Sequence, residues 1–221
     1  MIKLHNMKSW IDWFGSSFPG LLVHFHVRHP VPQALSARRA GWPVRIENYL
    51  ADPKLRAELD GIQIEAAMRV NRDGDGFERY LACWCLENLI PLRRIAAGVP
   101  WLVTSYEELV LEPETTLTRI CRALRISSTT EMLRQVREPS RTTRGRRTRQ
   151  VIRTAESDTT RADYLLDRWR DELDTRQIQE AARLLDVFRI DHYDVETPLP
   201  KLPLTARPGP EGIGIEGEGI E

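Results

Sequence analysis

The chain has 221 residues, of which 41% are hydrophobic and 29% charged, and its 32 basic and 32 acidic residues cancel. This composition is typical of one globular domain, and a net charge of zero implies no long-range attraction to nucleic acid or to a membrane surface. No stretch approaches the ~20 apolar residues that span a bilayer, and the N-terminus lacks the apolar run of a secretory signal. The three cysteines are an odd set that fits a reducing compartment. We therefore expect a cytoplasmic protein without a membrane span.

Two short apolar segments predict β-strands, at 21–27 and at about 100–105. Helical patterns lie between and after them, so the sequence predicts an α/β protein with a parallel sheet flanked by helices. The helices are expected at 32–40, 55–70, 76–98, 112–124, 129–136, 161–172 and 175–188. A proline- and glycine-rich tail, 197–221, is expected to be disordered, which leaves residues 1–196 as the domain.

Polar residues follow each predicted strand, where parallel sheets bind ligands. Arg28 comes directly after the first strand, and its guanidinium can hold a phosphate through two parallel hydrogen bonds. Ser36 lies on the next helix and can donate to the same anion, and Tyr106 follows the second strand. The alternative is an arginine paired with a surface carboxylate and a solvated serine.

The segment containing Arg28 and Ser36, VRHPVPQALS, resembles the 3′-phosphate motif of the sulfotransferases that use 3′-phosphoadenosine 5′-phosphosulfate (PAPS). The later segment TSYEELVLEPETTLTRICRAL is similar to the family's strand that runs into Tyr-Glu-Asp/Glu, and Tyr106 matches a tyrosine that approaches the nucleotide. The resemblance implies a three-layer, P-loop NTPase-like fold. It also implies sulfuryl transfer from PAPS to an acceptor hydroxyl or amine, on a small molecule, glycan or lipid.

Near the N-terminus, KLH resembles the Lys-x-His element of cytosolic members. The resemblance makes His5 the catalytic base and gives Lys3 the role of stabilising charge on the phosphosulfate. In the later arginine-rich stretch, RGRR is the nearest equivalent of an Arg-Lys-Gly segment that closes over the 3′-phosphate, which implies roles for Arg144 and Arg146.

The family's 5′-phosphosulfate loop is expected before Lys3, and no glycine-rich phosphate loop occurs later in the chain. We therefore expect an N-terminally truncated, helix-rich version of the fold. Two functions stay open at this point: a sulfotransferase, and a catalytically impaired protein that binds PAPS or its product, 3′-phosphoadenosine 5′-phosphate (PAP).

Residues 137–153 are predicted to form an arginine-rich loop, which could also contact RNA or an acidic partner. Nucleic acid is the weaker option because no aromatic residues interleave the arginines. The strand histidines His24 and His26, with His29 nearby, could suggest a metal site. Packed histidines are the favoured interpretation, and no metal is expected.

Overall fold

The sheet and helices are those of a computed structural model that describes residues 7–18, 20–127, 130–136, 138, 146–155, 157–201 and 204. Within these residues the sheet has two strands, β1 (His24–Val27) and β2 (Leu102–Ser105), which pair in parallel. The register aligns His24 with Leu102 and Val27 with Ser105, so both strands end at the same edge. The predicted strands and their parallel pairing are confirmed, although each strand is shorter than the apolar run that predicted it.

Helices make up most of the described chain, as expected for a helix-rich α/β protein. In chain order these are α1 (Ile11–Ser17), α2 (Pro30–Ala40), α3 (Ile46–Ala51), α4 (Pro53–Glu58), α5 (Gly61–Asp73), α6 (Gly76–Ala96), α7 (Tyr106–Leu111), α8 (Pro113–Leu124), α9 (Thr130–Val136), α10 (Arg146–Thr154), α11 (Asp158–Asp167) and α12 (Thr175–Val187). Two 3-10 helices, Lys8–Trp10 and Arg168–Glu172, join them. Helical structure is therefore present at each predicted position, although the ends are shifted and two of the predicted helices are divided.

The longest helix, α6, lies at the centre of the core. Phe77, Leu81 and Cys85 are fully buried on it, and it packs against α2, α3, α5 and α12. At its start the Asp75 carboxylate accepts a hydrogen bond from the Glu78 N–H at 2.9 Å, which satisfies a helix N–H that has no partner within the helix. The helix runs on through Pro91 to Ala96.

Local signals account for several helix ends. Gly41 ends α2 with φ of 67°, a left-handed conformation that suits glycine. The predicted helix 55–70 is two helices, because the chain is extended at Leu59 and Asp60 before Gly61 begins α5. The Asp60 carboxylate caps that second helix by accepting from the Gln63 N–H at 2.9 Å.

The prediction of an arginine-rich loop over 137–153 is wrong at its C-terminal end, because α10 occupies residues 146–154. Thr148 is buried and Val151 and Ile152 are half-buried, so these residues form one helix face that packs on α11. Arginine is also a good helix former. The predicted helix at 161–172 likewise differs, since α11 begins at Asp158 and the 3-10 helix continues it from Arg168.

The core extends past residue 196. Leu204 is buried within it, and the Lys201 N–H donates to the His192 carbonyl at 2.9 Å. The start of the 197–221 segment therefore packs on the domain at the positions that the structure describes.

Among the described residues, every helix is too short or too polar to cross a bilayer.

Candidate functional site

Four side chains lie at the edge of the sheet where both parallel strands end. Arg28 and His29 follow β1, while Tyr106 and Glu107 follow β2 and form the first turn of α7. Ser105 fixes this turn, because its hydroxyl accepts from the Glu108 N–H at 3.0 Å. Arg28 and Tyr106, which the sequence singled out after the two strands, are therefore neighbours in space.

Arg28 lies against Tyr106, with its guanidinium carbon 4.3 Å from the centre of the ring. Its Nε is buried and has no hydrogen-bond partner, and no carboxylate of the described residues pairs with the guanidinium. Burial lowers the pKa of Arg28, while Tyr106 and Glu107 act in the opposite direction. Because the ordinary pKa of arginine lies far above neutral pH, the Arg28 guanidinium nonetheless stays charged. The site thus offers a half-buried cation with unused donors, which is the chemistry that binds an anion.

Glu107 is the buried carboxylate next to this cation, with 1% of its surface exposed. Its Oε1 accepts from the His29 N–H at 2.9 Å, and its Oε2 is buried without a partner. Burial raises the pKa of Glu107, although the His29 N–H and the positive charge of Arg28 lower it. Glu107 therefore offsets part of the Arg28 charge and also fixes the turn that holds it.

His29 is fully buried and has a structural role. Its Nδ1 accepts from the Val31 N–H at 3.2 Å, so it caps α2, and its Nε2 lies 2.8 Å from the Asp194 carbonyl oxygen. These two contacts require a neutral ring that carries its proton on Nε2. Burial lowers the pKa of His29 to about 4. Trp169 stacks on the ring with centroids 5.3 Å apart, and Tyr193 meets it edge-on.

Ser36 lies on α2, about two helical turns after the His29 cap, and is half-buried. Its hydroxyl makes no hydrogen bond within the described residues. The structure brings together Arg28 and Tyr106, whereas no hydrogen bond joins Ser36 to Arg28 in the part of the chain that the structure describes.

The other predicted site residues are at or beyond the limits of the described chain. Lys3, His5 and Arg144 lie outside the described residues. Arg146 is the exposed first residue of α10, which packs on α11, and within the described ranges neither a hydrogen bond nor an ion pair joins it to Arg28.

Three residues of this edge were not singled out by the sequence: His29 as the cap, Glu107 as the buried carboxylate, and Arg168. Arg168 begins the 3-10 helix and is an electrostatic neighbour of Arg28. The only sequence signal for Glu107 is its position beside Tyr106 after a strand. Arg168 lies in DRWRDE, a charged segment that resembles any exposed helix end.

The strand histidines face Thr104 and pair with it. His24 Nε2 and His26 Nδ1 lie 2.8 and 2.9 Å from the Thr104 hydroxyl, which can donate to one ring and accept from the other. Burial, with a smaller contribution from Arg119, lowers the pKa of His24. Across the described ranges there is no group of three His, Cys, Asp or Glu side chains that could hold a metal ion.

Comparison of the chain with protein-family models, with curated proteins and with solved structures finds no match.

Proposed function

We propose that the edge formed by the ends of β1 and β2 binds the 3′-phosphate of PAPS or PAP, and that the protein acts as a sulfotransferase. The observation that carries the proposal is Arg28, whose guanidinium stacks on Tyr106 at 4.3 Å and whose Nε is buried without a partner. A guanidinium held in this way can bind a phosphate through two parallel hydrogen bonds.

Charge at the same edge supports an anionic ligand. Arg39 and Arg168 are the other cations that act on Arg28, while Glu107 is the buried carboxylate that acts on it. Glu107 already accepts the His29 N–H and makes no ion pair with Arg28. Arg39 is paired with Glu172, so Arg28 and Arg168 face the single carboxylate of Glu107, and the excess positive charge favours an anionic ligand.

In the proposed reaction the acceptor oxygen or nitrogen attacks sulfur, the bond between sulfur and the bridging oxygen of the 5′-phosphate breaks, and PAP leaves. The acceptor proton passes to a base. By resemblance this base is His5, and Lys3 stabilises the charge that develops on the bridging oxygen. Tyr106 would lie beside the nucleotide, where an aromatic ring can contact the base or sugar.

The first experiment measures PAP binding to the full chain by calorimetry and by thermal shift. We expect PAP to raise the melting temperature of the wild-type protein. Arg28→Ala should weaken binding by about 10-fold to 100-fold, because a charge-assisted hydrogen bond is lost. Arg122→Ala, which removes an exposed arginine of α8, is the matched control and should bind PAP as the wild type does.

The second experiment separates transfer from binding. Purified protein is incubated with PAPS and with simple phenol, amine and sugar acceptors, and formation of PAP and of the sulfated acceptor is measured. Product formation supports the sulfotransferase. PAP binding with no transfer to any acceptor favours the alternative, a protein that binds the nucleotide without catalysis. Absence of PAP binding, or equal binding by Arg28→Ala, would overturn the site assignment.

A further inference from the structure

Arg168 is placed beside Arg28 by its neighbours in the chain. Leu165, one turn earlier on α11, and Tyr106 both pack against the small apolar cluster of Val110, Ala162 and Leu166. Trp169, the next residue, stacks on His29 with ring centroids 5.3 Å apart. The Arg28 guanidinium stacks on Tyr106, and His29 follows Arg28 in the chain. The segment that contains Arg168 is therefore held near the anion site through both of these neighbours of Arg28.

The other charged residues of the 3-10 helix make contacts within the fold, which leaves the Arg168 guanidinium available to a ligand. Arg170 lies over the Trp169 ring at 4.8 Å and donates to the Val195 carbonyl at 3.2 Å. Glu172 forms an ion pair with Arg39 of α2. Arg170 therefore packs within the C-terminal part of the chain, and Glu172 attaches the segment to α2.

Arg168 itself has only neutral partners in the described chain. Its Nη1 donates to the Thr148 hydroxyl, and its guanidinium carbon lies 5.6 Å from the centre of the Tyr164 ring. It is half-buried, and no described carboxylate pairs with it. Arg168 and Arg28 are therefore two like charges, each partly removed from water and neither neutralised by an ion pair.

Two unneutralised guanidinium groups repel each other, and the repulsion is stronger where water is partly excluded. Arg168 accordingly lowers the pKa of Arg28, after the larger effect of burial. A group with two negative charges relieves this repulsion, whereas a singly charged diester relieves less of it. A phosphate monoester carries close to two negative charges near neutral pH.

We propose that Arg168 is a second arginine of the anion site and holds the same phosphate monoester group as Arg28. The proposal rests on the proposed function, because it takes the Arg28 site to be a phosphate site. It adds a binding residue from the C-terminal part of the chain and requires the bound group to be a dianion.

The test uses Arg168→Gln, which removes the charge but keeps a polar side chain of intermediate length. We expect PAP to bind about 10-fold to 100-fold more weakly. The ligand-free variant should be at least as stable as the wild type, because the repulsion between Arg28 and Arg168 is gone. Arg168→Lys should recover part of the affinity, and Arg122→Ala serves again as the charge-matched control.

A double-mutant cycle tests whether both arginines hold one group. It combines Arg168→Gln with Arg28→Lys, which retains the charge at residue 28. We expect the two losses to be non-additive, since residues that share a partner are coupled. Additive losses, including a double variant whose affinity falls below the measurable range, would overturn the claim of a shared phosphate.

The outcomes separate the two proposals. If the wild type fails to bind PAP, the proposed function fails and this inference with it. If Arg28→Ala loses PAP affinity while Arg168→Gln binds within about two-fold of the wild type, only the role of Arg168 is overturned, because a loss that small is less than one charge-assisted hydrogen bond. A destabilised Arg168→Gln with unchanged PAP affinity would make Arg168 a purely structural residue, which also overturns the inference.

Discussion

The Glu107 carboxylate accepts the backbone N–H of His29 at 2.9 Å and so ties the end of β2 to the end of β1. The two residues are 78 positions apart in the chain. Because Arg28 precedes His29 and Tyr106 precedes Glu107, this hydrogen bond and the parallel pairing of the strands together hold the cation beside the ring on which it stacks. Glu107 is thus both a structural link and a carboxylate whose charge acts on Arg28.

Glu107→Gln separates these two roles. The amide oxygen still accepts the His29 N–H, while the negative charge beside the proposed phosphate is lost. We expect several-fold tighter PAP binding at about pH 7.5, because the carboxylate no longer repels the anion. The gain should shrink as the pH falls toward the raised pKa of Glu107, where the wild-type carboxyl gains its own proton.

Calorimetric titrations of both proteins over a pH series check this prediction, with Glu114→Gln on α8 as a carboxylate control. Weaker binding by Glu107→Gln in a variant of unchanged stability would contradict it.

His29 makes stability depend on pH. Its pKa is lowered from 6.5 to about 4 in the folded protein. Between these values the unfolded chain binds a proton that the folded chain does not, so the free energy of unfolding falls as the pH drops through this window. The full difference is about 3 kcal/mol, reached at the acid end.

We therefore expect denaturant unfolding of His29→Asn to show a shallower dependence on pH between about pH 6.5 and pH 4 than the wild type. Asparagine is a good helix cap and can accept the Val31 N–H, but it does not titrate in this range. His24 and His192 also have lowered pKa values and remain in the variant, so the dependence decreases without vanishing. Parallel pH profiles for the two proteins would refute the assignment.

The Tyr106 ring is expected to support anion binding by holding the Arg28 guanidinium in place. Tyr106→Leu should weaken PAP binding by about 5-fold to 20-fold, the range expected when a partly buried cation–π contact is lost. Tyr106→Phe keeps the ring and should stay close to the wild type. If the leucine and phenylalanine variants bind equally, the ring contact does not position Arg28.

The cap of α7 can be tested separately from ligand binding. Ser105→Ala removes the acceptor of the Glu108 N–H and should lower the free energy of unfolding by about 1 kcal/mol. Ser157→Ala removes the equivalent cap of α11, where the serine is exposed and water can replace it, so its effect should be smaller. Denaturant unfolding measures both, and equal losses would show that burial of Ser105 adds nothing to its cap.

The sequence predicted those features of the fold that depend on local patterns. Apolar runs predicted both strands, and local residue types also account for helix ends, since the left-handed Gly41 ends α2 and the Asp174 carboxylate caps α12. Placing Arg28 and Tyr106 after parallel strands was enough to predict that they meet. The loop prediction is wrong over 146–153 because α10 has one narrow apolar face among many arginines, which composition alone does not reveal.

The remaining parts of the site depend on contacts between distant segments, which no local pattern encodes. His29 looked like a possible metal ligand, but its environment is made by Trp169 and Tyr193 from the last third of the chain. Arg168 looked like a charged helix end. Its position beside Arg28 follows only from how α11 packs on α7.

The hydrogen bond between the His29 ring and the Asp194 carbonyl joins residues 165 positions apart. During synthesis, β1 and α2 are made long before their buried partners at Trp169, Tyr193 and Asp194 exist. The edge that holds Arg28 can therefore reach its final form only after residues 169–194 have been synthesised, and a ribosome-stalled chain that stops before Arg168 should lack the buried partners of His29.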